Sequence, residues 1–371
     1  KRAFMNNTIH TATEFIEQLL RHSLAQRVSD LHLEPQQNSL RIRARIDNHL
    51  VLFSPPDNQL ANEILTRLKI LANINIAEKR LPQDGQFNWS YQKNNYSIRV
   101  ATLPTLYGEK IVLRLMNNLQ QPQLAQLGFQ TIHLTLLKKY LTQPQGMILV
   151  TGPTGSGKTL TLYSCLQYLN KDNRNINSIE DPIELPLHGI NQTQITEKAG
   201  ITFATILRAL LRQDPDVIMI GEIRDQQTAE IAIKAAQTGH LVLSTLHTNS
   251  TQATLARLAN LGIAKDLIDS CVKLIISQRL VRCLCSNCKY PSPEQKNFII
   301  NNQQIILPNW QATGCQFCYS GYKGRTAIYD CFELAKQSHP SPYALFNSGI
   351  ELIKKGITSL DEVYQVVGDI E

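Results

Sequence analysis

The sequence predicts an α/β protein in which a domain with a parallel sheet follows a smaller α+β domain and carries a four-cysteine subdomain. Three observations predict this fold class. From residue 147 onward, short apolar segments alternate with helical stretches, which is typical of a parallel sheet covered by helices. The first 116 residues instead mix one-sided helical patterns with alternating strand patterns. Five of the eight cysteines lie between residues 283 and 318, and this spacing indicates a metal site.

The overall composition is that of an ordinary globular protein. Of the 371 residues, 43% are hydrophobic and 18% are charged, which argues against an intrinsically disordered chain. No apolar run reaches the roughly 18 residues that a membrane-spanning helix needs. The formal net charge of +7 permits contact with phosphates or an acidic membrane surface and requires neither.

The first predicted domain comprises residues 1–116. Residues 11–28 and 61–79 place apolar side chains at helical spacing and predict two helices. Residues 39–50 alternate apolar side chains with a row of arginines and predict one half-buried strand with a solvated face. Residues 96–103 and 109–116 predict two further strands. The arginines of the row are Arg41, Arg43 and Arg45.

A linker and a second domain are predicted after these elements. Residues 117–126 are polar, rich in glutamine and interrupted by a proline, as linkers commonly are. The second domain is expected to comprise residues 127–371 and to include a metal-binding subdomain at residues 283–326.

A phosphate-binding loop is predicted between an apolar strand and the start of a helix, in "LVTGPTGSGKTLTLYS". Its glycines let backbone N–H groups surround a phosphate, and the following helix points its positive end at the anion. Lys158 is expected to reach the β- and γ-phosphates of a nucleoside triphosphate, and Thr159 to place its hydroxyl on Mg²⁺. The predicted binding residues are Gly152, Pro153, Thr154, Gly155, Ser156, Gly157, Lys158 and Thr159.

A second element for the metal is expected at the end of another apolar strand. The segment "DPDVIMIGEIRD" ends in Gly221 and Glu222, where most phosphate-loop proteins carry an aspartate. Gly221 allows a close backbone approach, and Glu222 would hold Mg²⁺, through water. The alternative is that Glu222 only caps the next helix.

Together these segments resemble the secretion ATPases, the hexameric motors of type IV pilus assembly and type II secretion. The phosphate loop, "SIEDPIE", "DPDVIMIGEIRD" and "TGHLVLSTLHTN" occur in the order and spacing of that family, and "RVSDLHLEP" and "RVATLPTLYGEKIVLRL" extend the resemblance into the first domain. It covers roughly residues 12–330 and is greatest to the pilus-assembly branch, with the secretion branch close behind. The resemblance implies a RecA-like P-loop NTPase domain preceded by a PAS-like domain. One departure is Asn48, where the family usually has glycine.

Three carboxylates are crowded within "SIEDPIE". Hydrolysis requires one carboxylate to orient or deprotonate the attacking water, while others tune the Mg²⁺ shell. By resemblance, Glu184 is the catalytic glutamate, and Glu180 and Asp181 face the metal region or nearby arginines. For Asp181, capping of the turn before Pro182 is an equal alternative.

Two histidines and two arginines complete the predicted site. His247 ends a strand, where parallel sheets bind ligands, and is expected to sense phosphate or couple subunits, whereas a structural role is an open alternative, above all for His240. Arg99 and Arg114 match family arginines that reach the nucleotide from the first domain. The alternative is that both are ordinary sheet arginines.

The cysteine spacing predicts a structural zinc site. Cys285 and Cys288 are separated by 26 residues from Cys315 and Cys318, and two such pairs can place four thiolates around Zn²⁺. A four-thiolate site has no open position for catalysis. Cys283 is an extra thiol that could replace Cys285, although the family pattern favours Cys285. A redox pair is the alternative.

The resemblance implies a cytoplasmic homo-hexamer that hydrolyses ATP with Mg²⁺ to drive pilus assembly, peripherally associated with the inner membrane through a platform protein. The alternative within the family is a type II secretion ATPase. A zinc-containing nucleic-acid-binding or translocating protein is the alternative from another class. Because the segment between the cysteine pairs has few basic residues and no interleaved aromatics, no direct nucleic-acid contact is expected.

Overall fold

The computed structural model describes residues 11–53, 60–92, 94–116, 122–196, 200–300, 303–336, 341 and 343–368. The chain divides into two compact units, Lys1–Gln120 and Gln121–Glu371. Of the predicted linker, residues 117–121 lie outside the described residues, and Leu124–Gln126 forms a short 3₁₀ helix.

The first unit is a six-stranded antiparallel sheet with two helices. The strands lie in the order β3-β2-β1-β6-β5-β4. Apolar side chains of the helices pack on one face of the sheet, because each strand turns alternate residues to that face. The elements are α1 (Ala12–Ala25), β1 (Val28–Pro35), β2 (Leu40–Ile46), β3 (His49–Phe53), α2 (Ala61–Leu71), β4 (Gln83–Tyr91), β5 (Asn94–Thr105) and β6 (Gly108–Met116).

Two predictions for this unit were wrong in extent. The helix predicted over residues 61–79 ends at Leu71, where Asn73 adopts a left-handed conformation with φ of 56° and stops the helix. The single strand predicted over residues 39–50 is a hairpin, because Asp47 and Asn48 form a turn with φ of 47° and 70°. Asparagine tolerates this conformation, so Asn48 supports a turn for which the family uses glycine.

The arginines of β2 lie on a partly exposed face, as predicted, and they are also ion-paired. Glu34 lies between Arg43 and Lys110, with nitrogen–oxygen distances of 2.7 and 3.0 Å, and it also binds Arg41 at 3.0 Å. Burial opposes the ionisation of Glu34, but the hydrogen bonds from Arg43 and Lys110 outweigh it and lower the pKa of Glu34 to about 2.

A buried ion pair joins α2 to β6. The Lys69 Nζ atom lies 2.8 and 2.9 Å from the two carboxylate oxygens of Glu109 and donates to the Glu78 carbonyl at 2.7 Å. Both side chains of the pair are less than a tenth exposed. The remaining carboxylate would therefore be buried without a counter-charge if Lys69 were removed.

We expect Lys69→Met to lower the free energy of unfolding of the first unit by roughly 3–5 kcal/mol, the usual cost of breaking a buried pair. Urea denaturation followed by Trp89 fluorescence in a Trp310→Phe background measures it. Arg80→Met is the control: Arg80 is 89% exposed in its pair with Glu78, so its loss should cost about 0–1 kcal/mol. Equal costs for the two variants would contradict the buried-pair interpretation.

The second unit is built on a seven-stranded sheet in the order β15-β12-β7-β11-β10-β8-β9. Its elements are α3 (Thr131–Leu141), β7 (Gly146–Thr151), α4 (Lys158–Leu169), β8 (Ile176–Glu180), β9 (Asn191–Gln194), α5 (Phe203–Leu210), β10 (Val217–Ile220), α6 (Gln226–Gln237), β11 (Leu241–Leu246), α7 (Thr251–Asn260), α8 (Lys265–Cys271), β12 (Val272–Leu284), β13 (Lys289–Ile300), β14 (Gln303–Ala312), β15 (Tyr322–Glu333), α9 (Ala344–Lys354) and α10 (Leu360–Val367).

This sheet confirms the predicted α/β class. The four strands that the sequence predicted are β7, β8, β10 and β11, and they lie side by side and parallel. The sheet also contains β15, which pairs antiparallel with β12. Helices cover both faces, and each face has its own apolar core. Burial on both sides explains why β7, β10 and β11 are largely apolar, whereas β8 carries buried polar side chains.

The cysteine pairs follow β12 and precede β15 in the chain, and the last helices pack against these two strands. A two-stranded hairpin of β13 and β14 connects the two cysteine pairs. The Arg282 guanidinium of β12 binds the Glu362 carboxylate of α10 at 2.5 Å, which attaches the last helix to the sheet. Within the described part of the chain, no helix combines the length and hydropathy that crossing a membrane requires.

Candidate nucleotide-binding site

The candidate site lies at one edge of the parallel sheet, where four neighbouring strands end. The phosphate loop follows β7, and the segment beginning at His247 follows β11. Glu222 follows β10, and the loop that carries Glu184 follows β8. The strand registers align Thr151 with Leu246, so these ends are level with one another. Ligands of open α/β sheets bind at this edge.

The phosphate loop has the backbone conformation that its glycines permit. Gly152, Gly155 and Gly157 have φ of 149°, 79° and 88°. A Cβ atom on Gly152 would lie 2.4 Å from the Gln278 carbonyl oxygen, so only glycine fits there. Gly157 is the N-cap of α4 and makes no side-chain capping bond. The first N–H groups of α4 therefore point into the loop, as anion binding requires.

The side chains of the loop fit a phosphate. The Lys158 Nζ atom donates to the carbonyls of Gly152 and Pro153 at 2.9 and 3.1 Å, and burial lowers the pKa of Lys158. The Ser156 hydroxyl is buried and has no hydrogen-bond partner among the described residues. Thr159, the second residue of α4, is exposed. An ammonium group and a hydroxyl whose oxygen lacks a partner are donors that a phosphate oxygen would satisfy.

Glu222, which follows β10, contacts the segment that follows β11. Its carboxylate is ion-paired with Arg224, and its second oxygen lies 3.2 Å from Nε2 of His247. Arg224 also lies 3.4 Å from the Asp181 carboxylate, so Asp181 faces an arginine, as predicted. The charge of Glu222 raises the pKa of Lys158, although burial has the larger effect. Glu222 thus lies among Lys158, Arg224 and His247.

Glu180 has a different environment from the predicted one. Its buried carboxylate accepts hydrogen bonds from Ser178 at 2.6 Å, from Gln192 at 2.9 Å and from the Tyr163 hydroxyl. The prediction that Glu180 faces the metal region or an arginine is therefore wrong. Tyr163 also accepts from the backbone N–H of Glu184 at 3.2 Å, which holds the exposed Glu184 beside α4.

The two histidines lie at opposite ends of β11. His240 precedes β11 and His247 follows it, so the six residues of the strand separate them by roughly 20 Å. The Nδ1 atom of His240 lies 3.0 Å from the Ala235 carbonyl at the end of α6. His240 thus has a structural role, which was the alternative interpretation, whereas His247 lies at the candidate site.

Arg99 and Arg114 belong to the first unit and are brought together there. They are directly opposite each other on β5 and β6, on the face turned away from the apolar core. The Nε atom of Arg114 also binds the Asp30 carboxylate at 2.8 Å. Two cations opposite each other repel, and the Asp30 carboxylate supplies a counter-charge beside Arg114. That both arginines reach the nucleotide remains a prediction.

The sequence analysis did not identify two candidate functional residues on β12. The Gln278 amide donates to the Ser156 carbonyl at 2.7 Å and accepts from the Thr161 hydroxyl at 2.8 Å. Arg279 donates to the Asn249 carbonyl at 2.6 Å. Neither residue belongs to a local motif, and only the pairing of β12 with β7 places them beside the loop.

The four predicted zinc ligands form one cluster. The Sγ atoms of Cys285 and Cys315 are 3.8 Å apart, those of Cys288 and Cys318 are 3.7 Å apart, and all four lie within 4.8 Å of one another. A tetrahedral Zn–S distance of about 2.3 Å implies sulfur–sulfur distances of about 3.8 Å, so the cluster fits zinc. Cys283 lies outside it, which agrees with the preference for Cys285.

Known proteins resemble the chain over nearly its whole length. The family described as "Type II/IV secretion system protein" matches residues 7–364. The "Protein transport protein HofB homolog" of Escherichia coli K12 is 49% identical over 96% of the chain and 81% of its own length. "Type IV pilus assembly ATPase PilB" of Pseudomonas aeruginosa is 43% identical over 96% of the chain and 67% of its own length. "Type II secretion system ATPase E" of Vibrio cholerae is 40% identical over 95% of the chain and 75% of its own length.

Solved structures support the fold. The Legionella pneumophila ATPase DotB has a TM-score of 0.70 at 20% identity and covers 97% of both chains. The pilus retraction motor PilT with bound ADP has a TM-score of 0.60 at 24% identity, covering 94% of this chain and 96% of PilT. At these identities, the likeness concerns the fold alone.

Proposed function

The chain belongs to the type II/IV secretion system protein family, and we propose that it is a Mg²⁺-dependent ATPase that drives pilus assembly as a homo-hexamer. One observation carries the proposal. The phosphate loop, Glu222, His247 and the loop that carries Glu184 lie at the ends of adjacent parallel strands. This arrangement supports one site to which the loop would contribute phosphate binding, Glu222 metal binding and Glu184 proton acceptance.

The residues divide the chemistry among themselves. Lys158 and the N–H groups at the start of α4 bind and orient the phosphates. Glu184 orients the attacking water and accepts its proton. Thr159 and Glu222 would hold Mg²⁺, which supplies positive charge to the γ-phosphate when it is bound. His247 contacts the carboxylate of Glu222 and is placed to report the state of the phosphate through it.

Arg99 and Arg114 supply further positive charge from the first unit in this proposal. Phosphoryl transfer places charge on the γ-phosphate oxygens, and an added guanidinium stabilises it. Their opposite positions on β5 and β6 would present both to one anion. Because they lie in a separate unit, their contact with the nucleotide would couple hydrolysis to movement.

The four-cysteine cluster would hold a structural Zn²⁺, and the motor would act in the cytoplasm, peripherally at the inner membrane, with a platform protein as its partner. Higher identity to PilB than to the type II ATPase favours pilus assembly. Secretion is the second candidate, since the two relatives match nearly equal shares of the chain, 96% and 95%. Co-purification separates the two candidates, because the chain should bind the inner-membrane platform protein of the pilus machine or that of the secretion machine.

We expect ATP hydrolysis to require both Mg²⁺ and assembly into a ring. A closed ring with heterologous contacts lets each subunit pass movement to its neighbour. Light scattering with and without an ATP analogue should find a hexamer, and the specific rate should rise with protein concentration as rings form. A chain that remains monomeric at every concentration and hydrolyses ATP at full rate would contradict the ring but not the ATPase.

A further inference from the structure

The phosphate loop rests on β12, which the proposed mechanism does not use. Gln278 is 2% exposed, and its side-chain amide makes one hydrogen bond to the loop and one to the helix that follows it. It donates to the Ser156 carbonyl inside the loop and accepts from the Thr161 hydroxyl on α4. One side chain thus fixes the loop to the first turn of the helix that follows it.

The backbone of the phosphate loop packs directly against β12. A Cβ atom on Gly152 would lie 2.4 Å from the Gln278 carbonyl oxygen and 3.3 Å from Nη1 of Arg279. A Cβ atom on Gly157 would lie 3.0 Å from Nε2 of Gln278. Gly152 is therefore required by the backbone of β12, and Gly157 is in tight contact with the Gln278 side chain.

Arg279 makes the matching contact on the other face of the sheet, because successive residues of a strand point to opposite faces. It is 9% exposed and donates to the carbonyls of Asn249 and Gln278, at 2.6 and 3.0 Å. Within the described part of the second unit, no carboxylate lies within ion-pair distance of this guanidinium. Asn249 lies two residues after His247, so Arg279 holds the segment that carries the candidate phosphate sensor.

We propose that Gln278 and Arg279 are positioning residues that together hold the phosphate loop and the segment 247–250 in fixed register at the nucleotide site. The proposal rests on the ATPase function proposed above. Gln278 acts through Ser156 and Thr161 and so governs nucleotide affinity. Arg279 acts through Asn249 and so governs turnover, because it sets the place of His247.

The test replaces each residue by methionine, which keeps length and removes the hydrogen bonds. Gln278→Met leaves the Ser156 carbonyl without its protein donor and should weaken ATP binding roughly tenfold. Arg279→Met should lower kcat roughly tenfold with a smaller change in affinity, and Arg279→Lys should recover part of the loss because it retains a donor. Titration with a fluorescent ATP analogue and steady-state hydrolysis give the two quantities.

Arg282→Met is the matched control on the same strand. Arg282 is paired with Glu362 of α10, so its loss should lower the thermal stability without changing ATP affinity or kcat. If Gln278→Met does not fold, Thr161→Val removes only the hydroxyl that Gln278 accepts from and carries the same test. Amide hydrogen exchange across residues 152–157, measured without nucleotide, should be faster in the Gln278 or Thr161 variant than in the Arg282 variant.

Folded Gln278→Met and Arg279→Met chains with unchanged affinity, kcat and loop exchange would overturn the proposal. A loss of stability alone, as in the control, would also overturn the proposal, because it would show that both residues contribute only to stability. Failure of the unmodified chain to bind or hydrolyse ATP would instead overturn the proposed function. In that case the exchange measurement still decides whether β12 holds the loop.

Discussion

Replacing Glu184 by glutamine is expected to lower the turnover of ATP by roughly 10²–10⁴, the usual contribution of a general base, while ATP still binds. Glutamine keeps the shape of the side chain but cannot accept a proton from water. The exposed Glu184 is held beside α4 by the bond from its backbone N–H to Tyr163. Since that bond involves the backbone, the substitution leaves the position of the loop intact.

The comparison with two other variants makes this prediction specific. Lys158→Ala should weaken binding and hydrolysis together, because its ammonium is proposed to contact the phosphates in both the ground state and the transition state. Glu222→Gln should depend on Mg²⁺ concentration more than Glu184→Gln does, because Glu222 is proposed to support the metal. Nucleotide affinity and steady-state hydrolysis, each measured at several Mg²⁺ concentrations, distinguish the three patterns.

Near-normal turnover in Glu184→Gln would remove this residue from the chemistry. The role would then pass to Asp181 and not to Glu180. Asp181 lies at the surface, 3.4 Å from Arg224. The carboxylate of Glu180 is buried and already accepts hydrogen bonds from Tyr163, Ser178 and Gln192. Because the side chain of Glu180 is buried and already hydrogen-bonded whereas Asp181 is exposed, Asp181 is better placed to reach a water molecule.

Replacing Cys285 by serine is expected to remove the bound zinc and to unfold the region beyond β12. Structural zinc contributes about 10–16 kcal/mol of apparent binding free energy in zinc-finger peptides, so loss of one thiolate removes a large stabilising term. Cys285 follows the last residue of β12 directly, and the core between the sheet and the last two helices begins at Val281. Elemental analysis and limited proteolysis measure zinc content and local unfolding.

Cys283→Ser is the control that the chain itself provides. Cys283 lies two residues before Cys285 but outside the four-thiol cluster, so this variant should keep one zinc per chain and resist proteolysis. Equal zinc loss in both variants would show that the ligand set is wrong. Protein purified without chelators that contains no zinc would contradict the metal site altogether.

The sequence alone was sufficient wherever the signal is local. The phosphate loop is read from contiguous residues because a glycine pattern, a lysine and the flanking strand and helix all lie within about twenty positions. The cysteine pairs are equally recognisable, since each pair forms one knuckle. The strands β7, β10 and β11 were predicted because strands buried on both faces are largely apolar, and β8 was predicted although it carries buried polar side chains.

Only the tertiary structure decided which side chains meet. Glu180 is next to Asp181 in the sequence, yet it turns into the core while Asp181 faces Arg224. Gln278 and Arg279 lie about 120 residues from the phosphate loop, and no local pattern marks them. The end of α2 was likewise mispredicted, and the ion pairs of the β2 arginines became visible only in the structure. The physical reason is that strand order and register determine these contacts, and both depend on packing between distant segments.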